Sequence, residues 1–231
     1  MTTWLSAAGL ADPCPPWNWP GAPSKVKVKK RKRGRPRDPE ASTAAIKAAI
    51  IAAAGEVYAG HGYHNFSVAL LLEAAGVSRP TFYRHFKDKT EVIDIVVAQA
   101  NAQLLEQVRK RIGSGTSLEE VVNNGIDAYF AWGNSIGKLA GAIYREIHDE
   151  QSPASCHRER SLADLGGLVQ TAFEAHGKYL PPQLNDALMH VIEHVGHQAF
   201  WPKRKSAREI AELKNTIRTI IIGTVQYVPD K

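Results

Sequence analysis

Ser67–Lys89 reads SVALLLEAAGVSRPTFYRHFKDK, and this stretch decides how the 231-residue chain is understood. Ser67 can cap a short helix whose inward face is Val68, Leu71, Leu72 and Ala75. Gly76 stands where that helix needs a left-handed residue, a conformation glycine adopts without steric cost. Val77 supplies an apolar plug, Ser78 a second N-cap, and Pro80 falls in a first turn where a missing N–H costs little. In the second helix Phe82 and Phe86 lie four residues apart and face inward. Arg79, Thr81, Tyr83, Arg84 and His85 are left near or on the outer surface. The pattern is a helix-turn-helix whose second helix offers donors, hydroxyls and a ring to a groove about as wide as itself. Arginine can pair with guanine there, and Tyr or Thr can hold phosphates or touch a thymine methyl. A compact helical pair with no ligand is the plainer alternative, and what flanks the stretch argues against it.

Upstream, Lys25–Arg37 holds nine of the 29 Lys/Arg and no acid. The rest of the chain has 20 basic and 23 acidic residues, so the net charge of +6 resides in this arm. A basic arm on a near-neutral body points to a polyanion such as DNA. Within it, Arg33-Gly34-Arg35-Pro36-Arg37 resembles an AT-hook core, in which arginines enter a narrow A·T minor groove. The alternative is a polybasic tail held by phosphates alone. Residues 1–24, rich in Pro, Ala and Trp, are read as disordered, with Trp17–Pro20 as a possible docking motif. From Ser42 the pattern turns helical: Ile46, Ile50, Ala53 and Val57 share one face, and Gly60 and Gly62 are expected to end the helix.

Downstream, Asp88-x-x-Glu91, Ser117-x-x-Glu120 and Ser206-x-x-Glu209 have capping-box spacing. The expected helices cover 43–59, 67–75, 79–86, 89–112, 117–133, 137–149, 160–177, 182–201 and 206–226, with no convincing strand. The fold class is all-α. Residues 1–40 form a disordered extension with the basic arm, 41–90 a three-helix DNA-binding domain, and 91–231 a helical domain for effector binding and dimerisation. Tyr129, Phe130, Trp132, Ile143, Tyr144 and Phe173, together with Ile136 and Leu139, are candidates for the wall of an apolar ligand pocket. Aromatics at helical spacing are also ordinary core. His190, His194 and His197 share a face that could bind a transition metal, titrate at a dimer seam, or simply be amphipathic surface. No metal site is assigned.

Ala75-Gly76-Val77-Ser78-Arg79-Pro80-Thr81-Phe82-Tyr83-Arg84-His85-Phe86, followed by Lys87-Asp88-Lys89, resembles the DNA-binding signature of TetR-family regulators over residues about 43–95. The resemblance implies a homodimer on a palindromic operator in double-stranded DNA, with the second short helix of each protomer in a major groove. It implies phosphate contacts by Tyr83, His85, Lys89 and Ser67, and base or nearby backbone contacts by Arg79, Pro80, Thr81 and Arg84. The apolar run Ala69–Leu72 departs from the polar or basic residues common there. The resemblance also implies that the last two helices pair across the dimer, through Leu184, Leu188, Val191, Ile192, Val195 and Phe200 on one and Ile210, Leu213, Ile217, Ile220 and Ile221 on the other.

No uninterrupted apolar stretch reaches the roughly 18 residues that cross a bilayer, and Met1–Ala11 lacks a basic n-region. A cytoplasmic chain with no membrane partner is expected. Cys14 and Cys156 stand far apart in no metal-ligand spacing and predict no structural disulfide. No GxSxG, HExxH, P-loop or dinucleotide motif points to an enzyme, and no cofactor is implied. The expected function is a DNA-binding transcriptional regulator, a repressor released by a small hydrophobic effector. The competing expectation is a constitutive architectural DNA-binding protein whose C-terminal half only dimerises.

Overall fold

Residues 39–203, 205–225 and 227–228 are described by a computed structural model, with side chains from residue 42 onward. Among them are nine helices and no strand, in chain order α1 (Pro39–Asn65), α2 (Val68–Ala75), α3 (Arg79–His85), α4 (Lys89–Ile112), α5 (Leu118–Ile136), α6 (Lys138–Glu146), α7 (Pro153–Ala175), α8 (Pro182–Phe200) and α9 (Ala207–Val225). Helices α1–α3 form a small head, α5–α9 form a bundle, and α4 runs through both by packing on α1, α5 and α7.

The head assembles as its caps dictate. Ser67 Oγ accepts from Leu70 N at 3.2 Å, and Ser78 Oγ from Thr81 N at 3.3 Å. Gly76 closes α2 with φ +64°, and its N–H donates back to the carbonyls of Leu72 and Glu73. Beneath lies a floor of Phe82 and Phe86, stacked with ring centroids 5.6 Å apart, joined by Ile50, Ala54, Tyr58 and Leu71. Leu70 and Leu72 are half-buried against this core, which accounts for the apolar run in α2.

Two helix boundaries differ most from expectation. Helix α1 continues past Gly60, breaks at Gly62 (φ +71°), and resumes to Asn65. A Cβ on Gly62 would stand 2.1 Å from Arg145 Nη2, so glycine answers both the backbone angle and a close approach. Helix α7 starts at Pro153, seven residues before the predicted start. Pro153 occupies the first helical position behind the Ser152 cap, where proline initiates rather than interrupts. The capping boxes form with one variation. Glu209 reaches the Ser206 amide at 2.8 Å, while Glu91 and Glu120 reach one residue further, to Lys87 N at 2.6 Å and Thr116 N at 2.8 Å.

The apolar stripes of α8 and α9 turn mostly into their own bundle. Leu188, Val195, Ile217 and Ile221 are buried, Leu184, Val191, Ile192, Phe200, Ile210 and Leu213 are half-buried, and Ile220 is exposed. The expectation about Cys14 and Cys156 involves Cys14, which lies outside the described residues. One helical segment, Ser42–Asn65, is long and apolar enough by composition to cross a membrane. Its Ile50, Ala54, Val57 and Tyr58 are buried, and α1 packs on α2, α4 and α6.

Candidate nucleic-acid interface and interior cavity

Helix α3 presents one face to solvent. Arg79, Pro80, Tyr83 and Arg84 are exposed, while Phe82, fully buried, anchors the opposite face. The Tyr83 ring stands edge-on to Phe82 with centroids 5.2 Å apart, which braces it without covering it. Thr81 is half-buried with its hydroxyl 2.8 Å from Ser78 Oγ, and His85 is half-buried beside Phe86. Ser67 is exposed at the start of α2 and can still donate its hydroxyl proton while capping.

Lys89 is drawn inward. Its Nζ donates to the carbonyls of Tyr63 at 2.8 Å and Phe66 at 3.2 Å and lies 4.3 Å from the Tyr63 ring centroid. Two of its three N–H donors thus tie α4 to the end of α1, and one remains for an outside partner. Arg33, Arg35 and Arg37 of the basic arm lie outside the described residues.

The bundle encloses a cavity of about 110 Å³. Helix α4 lines it with Val97, Asn101, Leu104, Val108 and Ile112, one face at steps of three and four. At 1.5 Å per residue this face is about 22 Å long, so the lining is a slot and not a bowl. Tyr129 and Trp132 of α5, Ile143, Tyr144 and Ile147 at α6, and Phe173 of α7 add aromatic and aliphatic wall, and α8 and α9 add Leu188, Ile192, Ile217 and Ile221. Five of the six residues expected at the pocket therefore line it. Phe130 does not. It lies about 100° around α5 from Tyr129, buried against Phe200 and 5.6 Å from Lys214 Nζ. Ile136 and Leu139 are also absent from the lining. Periodicity in α4 could have revealed its contribution, since residues 97 to 112 keep helical spacing throughout.

Several polar groups inside the bundle are paired, while Asn185 Oδ1 on α8 is buried without a hydrogen-bond partner. The hydroxyls of Tyr129 and Tyr144 are hydrogen-bonded to each other, and Tyr129 Oη lies 3.4 Å from the Ile192 carbonyl. Burial pushes both phenols well above their usual range, so both are neutral donors. Trp132 Nε1 donates to the Ala100 carbonyl at 2.8 Å and joins α5 to α4. Arg158 and Glu193 form a two-pronged ion pair, Nε–Oε1 and Nη2–Oε2 both 2.7 Å. Among the described residues no cluster of three or more metal-ligating side chains is present. His194 is 2.8 Å from Gln198, His197 stands edge-on to Tyr144, and His190 approaches Arg158 and Glu193.

Sequence reading missed the junction of head and bundle. Glu146 is buried and accepts from Tyr58 Oη and Ser152 Oγ at one oxygen, both 2.9 Å. Its other oxygen accepts from the Tyr63 amide at 2.9 Å and Arg145 Nη2 at 3.1 Å. One carboxylate thus joins α1, α6 and the following loop. At its rim His64 Nε2 lies 2.6 Å from Asp149 Oδ2. No local motif marks Glu146, because all its partners except Arg145 and Ser152 lie more than 80 residues away.

Residues 50–95 match the family described as bacterial regulatory proteins, tetR family. The HTH-type transcriptional activator FasR of Mycolicibacterium smegmatis is 30% identical over 81 residues, 35% of this chain and 37% of that protein. The matches to curated relatives span less than half of those proteins' own lengths. Among solved structures, a TetR-family transcriptional regulator from Syntrophomonas wolfei superposes with a TM-score of 0.66 at 14% identity, over 78% of this chain and 96% of that one. The transcriptional regulator FadR from Bacillus subtilis, solved with stearoyl-CoA, superposes with a TM-score of 0.63 at 19% identity, over 75% and 96%. At these identities the structural likeness speaks for the fold alone. The likeness to the tetR family of bacterial regulatory proteins thus lies in residues 50–95, over the signature on α2 and α3, and the nine helices of the described residues share the fold of these solved structures.

Proposed function

We propose that this protein is a DNA-binding transcriptional regulator that acts as a homodimer on a palindromic operator and is released by a small hydrophobic ligand. The observation that carries the reading is the outward face of α3, with Arg79, Tyr83 and Arg84 exposed over a fully buried Phe82. Exposed arginines and a braced phenol on a short helix suit base edges and phosphates in a major groove. Ser67, Pro80, Thr81, His85 and the remaining donor of Lys89 serve the flanking backbone. The basic arm, with Arg33, Arg35 and Arg37, adds contacts from the neighbouring minor groove. Residues 41–90 are the reading domain, and 91–231 bind effector and partner.

The ligand site is the slot in the bundle. At about 110 Å³ it lies below the roughly 300–1,000 Å³ of common small-molecule pockets, so occupancy must spread the helices around it. Two of these reach the head: α4 through Lys89, and α6, which lines the slot with Ile143 and Tyr144 and holds α1 through Glu146. A ligand that favours the spread form shifts the population toward heads wrongly spaced for successive grooves. An elongated slot suits a linear apolar chain, of which the stearoyl-CoA bound by the Bacillus subtilis FadR is an example.

A genome-wide binding selection with the purified protein and an Arg79→Ala, Tyr83→Ala double variant tests this reading. A palindromic site bound by the first and lost in the second is expected. Salt-sensitive binding without a consensus, equal in both proteins, would replace it with an architectural role dominated by the arm. Free and ligand-bound crystal structures with the same head separation would contradict the release mechanism.

A further inference from the structure

The slot is apolar along its length but charged at one place. Arg158 and Glu193 are the only oppositely charged side chains among its lining residues, and they bind each other through two parallel hydrogen bonds. Their position is defined by the residue before Arg158. His157 is buried and 2.8 Å from Asp94, so the pair stands level with the second turn of α4, at the end of the slot nearer the head. This part of the lining also reaches outward. The Arg158 and Glu193 side chains retain 17% and 12% of their surface, and His190 beside them retains 46%, whereas Tyr129 and Tyr144 deeper in are buried.

A guanidinium keeps its charge at any accessible pH, so an Arg158 inside a nearly dry wall must always have an anionic partner. Glu193 fills that role in the free protein. When displaced it stays beside His190, whose Nδ1 lies 3.6 Å from Glu193 Oε2 and accepts from Arg158 Nη2 at 3.3 Å, and whose Nε2 lies 3.7 Å from Asp186. Glu159, 3.7 Å from Arg158 Nη1, is 86% exposed and holds the guanidinium only from the solvent side. Planar two-pronged geometry fits a carboxylate or phosphate oxygen pair and offers nothing comparable to an alcohol or an ammonium.

We propose that Arg158 anchors the anionic headgroup of a linear amphipath whose apolar chain lies in the slot, and that Glu193 is an internal stand-in for that headgroup. The proposal rests on the slot being the effector site. It assigns the ligand class as a long-chain anion, and it makes exchange of Glu193 for the headgroup the event that frees α8 from α7 at the slot's mouth.

The test is calorimetric titration of the full-length protein with three probes of equal chain length: hexadecanoate, hexadecanol and hexadecyltrimethylammonium, each below its critical micelle concentration. Hexadecanoate is expected to bind about tenfold or more tighter than hexadecanol, the scale of a charge-assisted pair. Glu193→Gln is expected to tighten hexadecanoate further and leave hexadecanol unchanged. An Arg158→Gln, Glu193→Gln double variant, which leaves no lone buried charge, is expected to bind the two alike. Equal binding of carboxylate and alcohol by the unaltered protein overturns the proposal and leaves the slot as a ligand site. Preference for the ammonium, lost in Glu193→Gln, overturns it in favour of a cationic ligand. Failure of all three probes to bind overturns the slot as a site for linear ligands, and this proposal with it.

Discussion

On α3, Arg79, Tyr83 and Arg84 face solvent over an apolar floor. In the bundle, Tyr129, Tyr144, Arg158 and Glu193 face inward and find partners there. The difference separates two ways of carrying function. On α3, the exposed residues proposed to read bases and the buried residues that hold the fold are distinct sets, so each can be altered alone, while Ser67 and Lys89 at its flanks serve both. In the bundle they overlap, since Tyr129 with Tyr144, and Arg158 with Glu193, both line the slot and satisfy each other. A head built this way is robust to changes in what it recognises. A bundle built this way links what it binds to how its helices are held.

The sharpest way to break the comparison lies within two adjacent residues. Phe82→Ala removes a fully buried ring and is expected to cost about 3–5 kcal/mol, read as a lowered urea midpoint. Tyr83→Ala, at a side chain 50% exposed, is expected to change stability by about 0.5 kcal/mol or less while weakening operator binding. If Tyr83→Ala destabilises as much as Phe82→Ala, the two sets of residues on α3 are not distinct.

The next effect belongs to the junction. Glu146→Gln replaces a carboxylate oxygen that accepts two hydrogen bonds with an amide N–H₂ that accepts none. The expected loss is about 1–3 kcal/mol, with the larger consequence in coupling. Operator affinity should become less responsive to ligand, measured as the ratio of operator Kd with and without hexadecanoate. A variant with normal stability and an unchanged ratio would place the coupling in α4 alone.

The buried tyrosines of the head–bundle junction and the bundle give a pH test that leaves the protein unaltered at neutrality. Burial raises the Tyr58, Tyr129 and Tyr144 phenols, with Glu146 adding to the effect at Tyr58 and the Tyr144 phenol at Tyr129. A raised acid holds its proton more tightly folded than unfolded. The stabilisation is therefore complete below the unfolded value near 10 and is lost as pH rises above it. Ultraviolet difference titration should show three of the seven tyrosines ionising only with unfolding. Seven independent titrations near pH 10 would mean that the bundle interior is open to water.

What could be read from the chain follows the same division. The head is written in neighbouring residues: Ser67 caps Leu70, Gly76 turns, Ser78 caps Thr81, and Phe82 meets Phe86, all within 20 positions. Helix order and number were legible for the same reason, since caps and periodicity are local. The wall of the slot was legible only as aromatic content, so Phe130 was grouped with Tyr129 although one residue turns it away. Glu146, Arg158 and Glu193 carried no local signal. Two lie in runs of mixed charge, and their partners are set by how α1, α7 and α8 come together in space.

The smallest expected effect lies at the same junction as Glu146 and tests whether burial decides its strength. Asp149 Oδ2 lies 2.6 Å from His64 Nε2, a shorter contact than any at Glu146, but their side chains keep 28% and 56% of their surface. The His64 hydrogen bond, with the Gln151 amide adding to it, holds the Asp149 carboxyl below its usual range. A lowered carboxyl stabilises the fold above the unfolded value, and this contribution disappears as pH falls through the folded one. Solvent screens so exposed a pair. Asp149→Asn should therefore shift the thermal midpoint at neutral pH by only a small fraction of the Glu146→Gln shift, and the difference from the unaltered protein should close in acid. Should Asp149→Asn cost as much as Glu146→Gln, then α1 is held to the bundle by its exposed rim, and the buried carboxylate would be a passenger. The expected inequality makes the head–bundle link a property of one desolvated group, insensitive to salt, and so able to pass strain from the slot to α1 under any ionic strength at which DNA is bound.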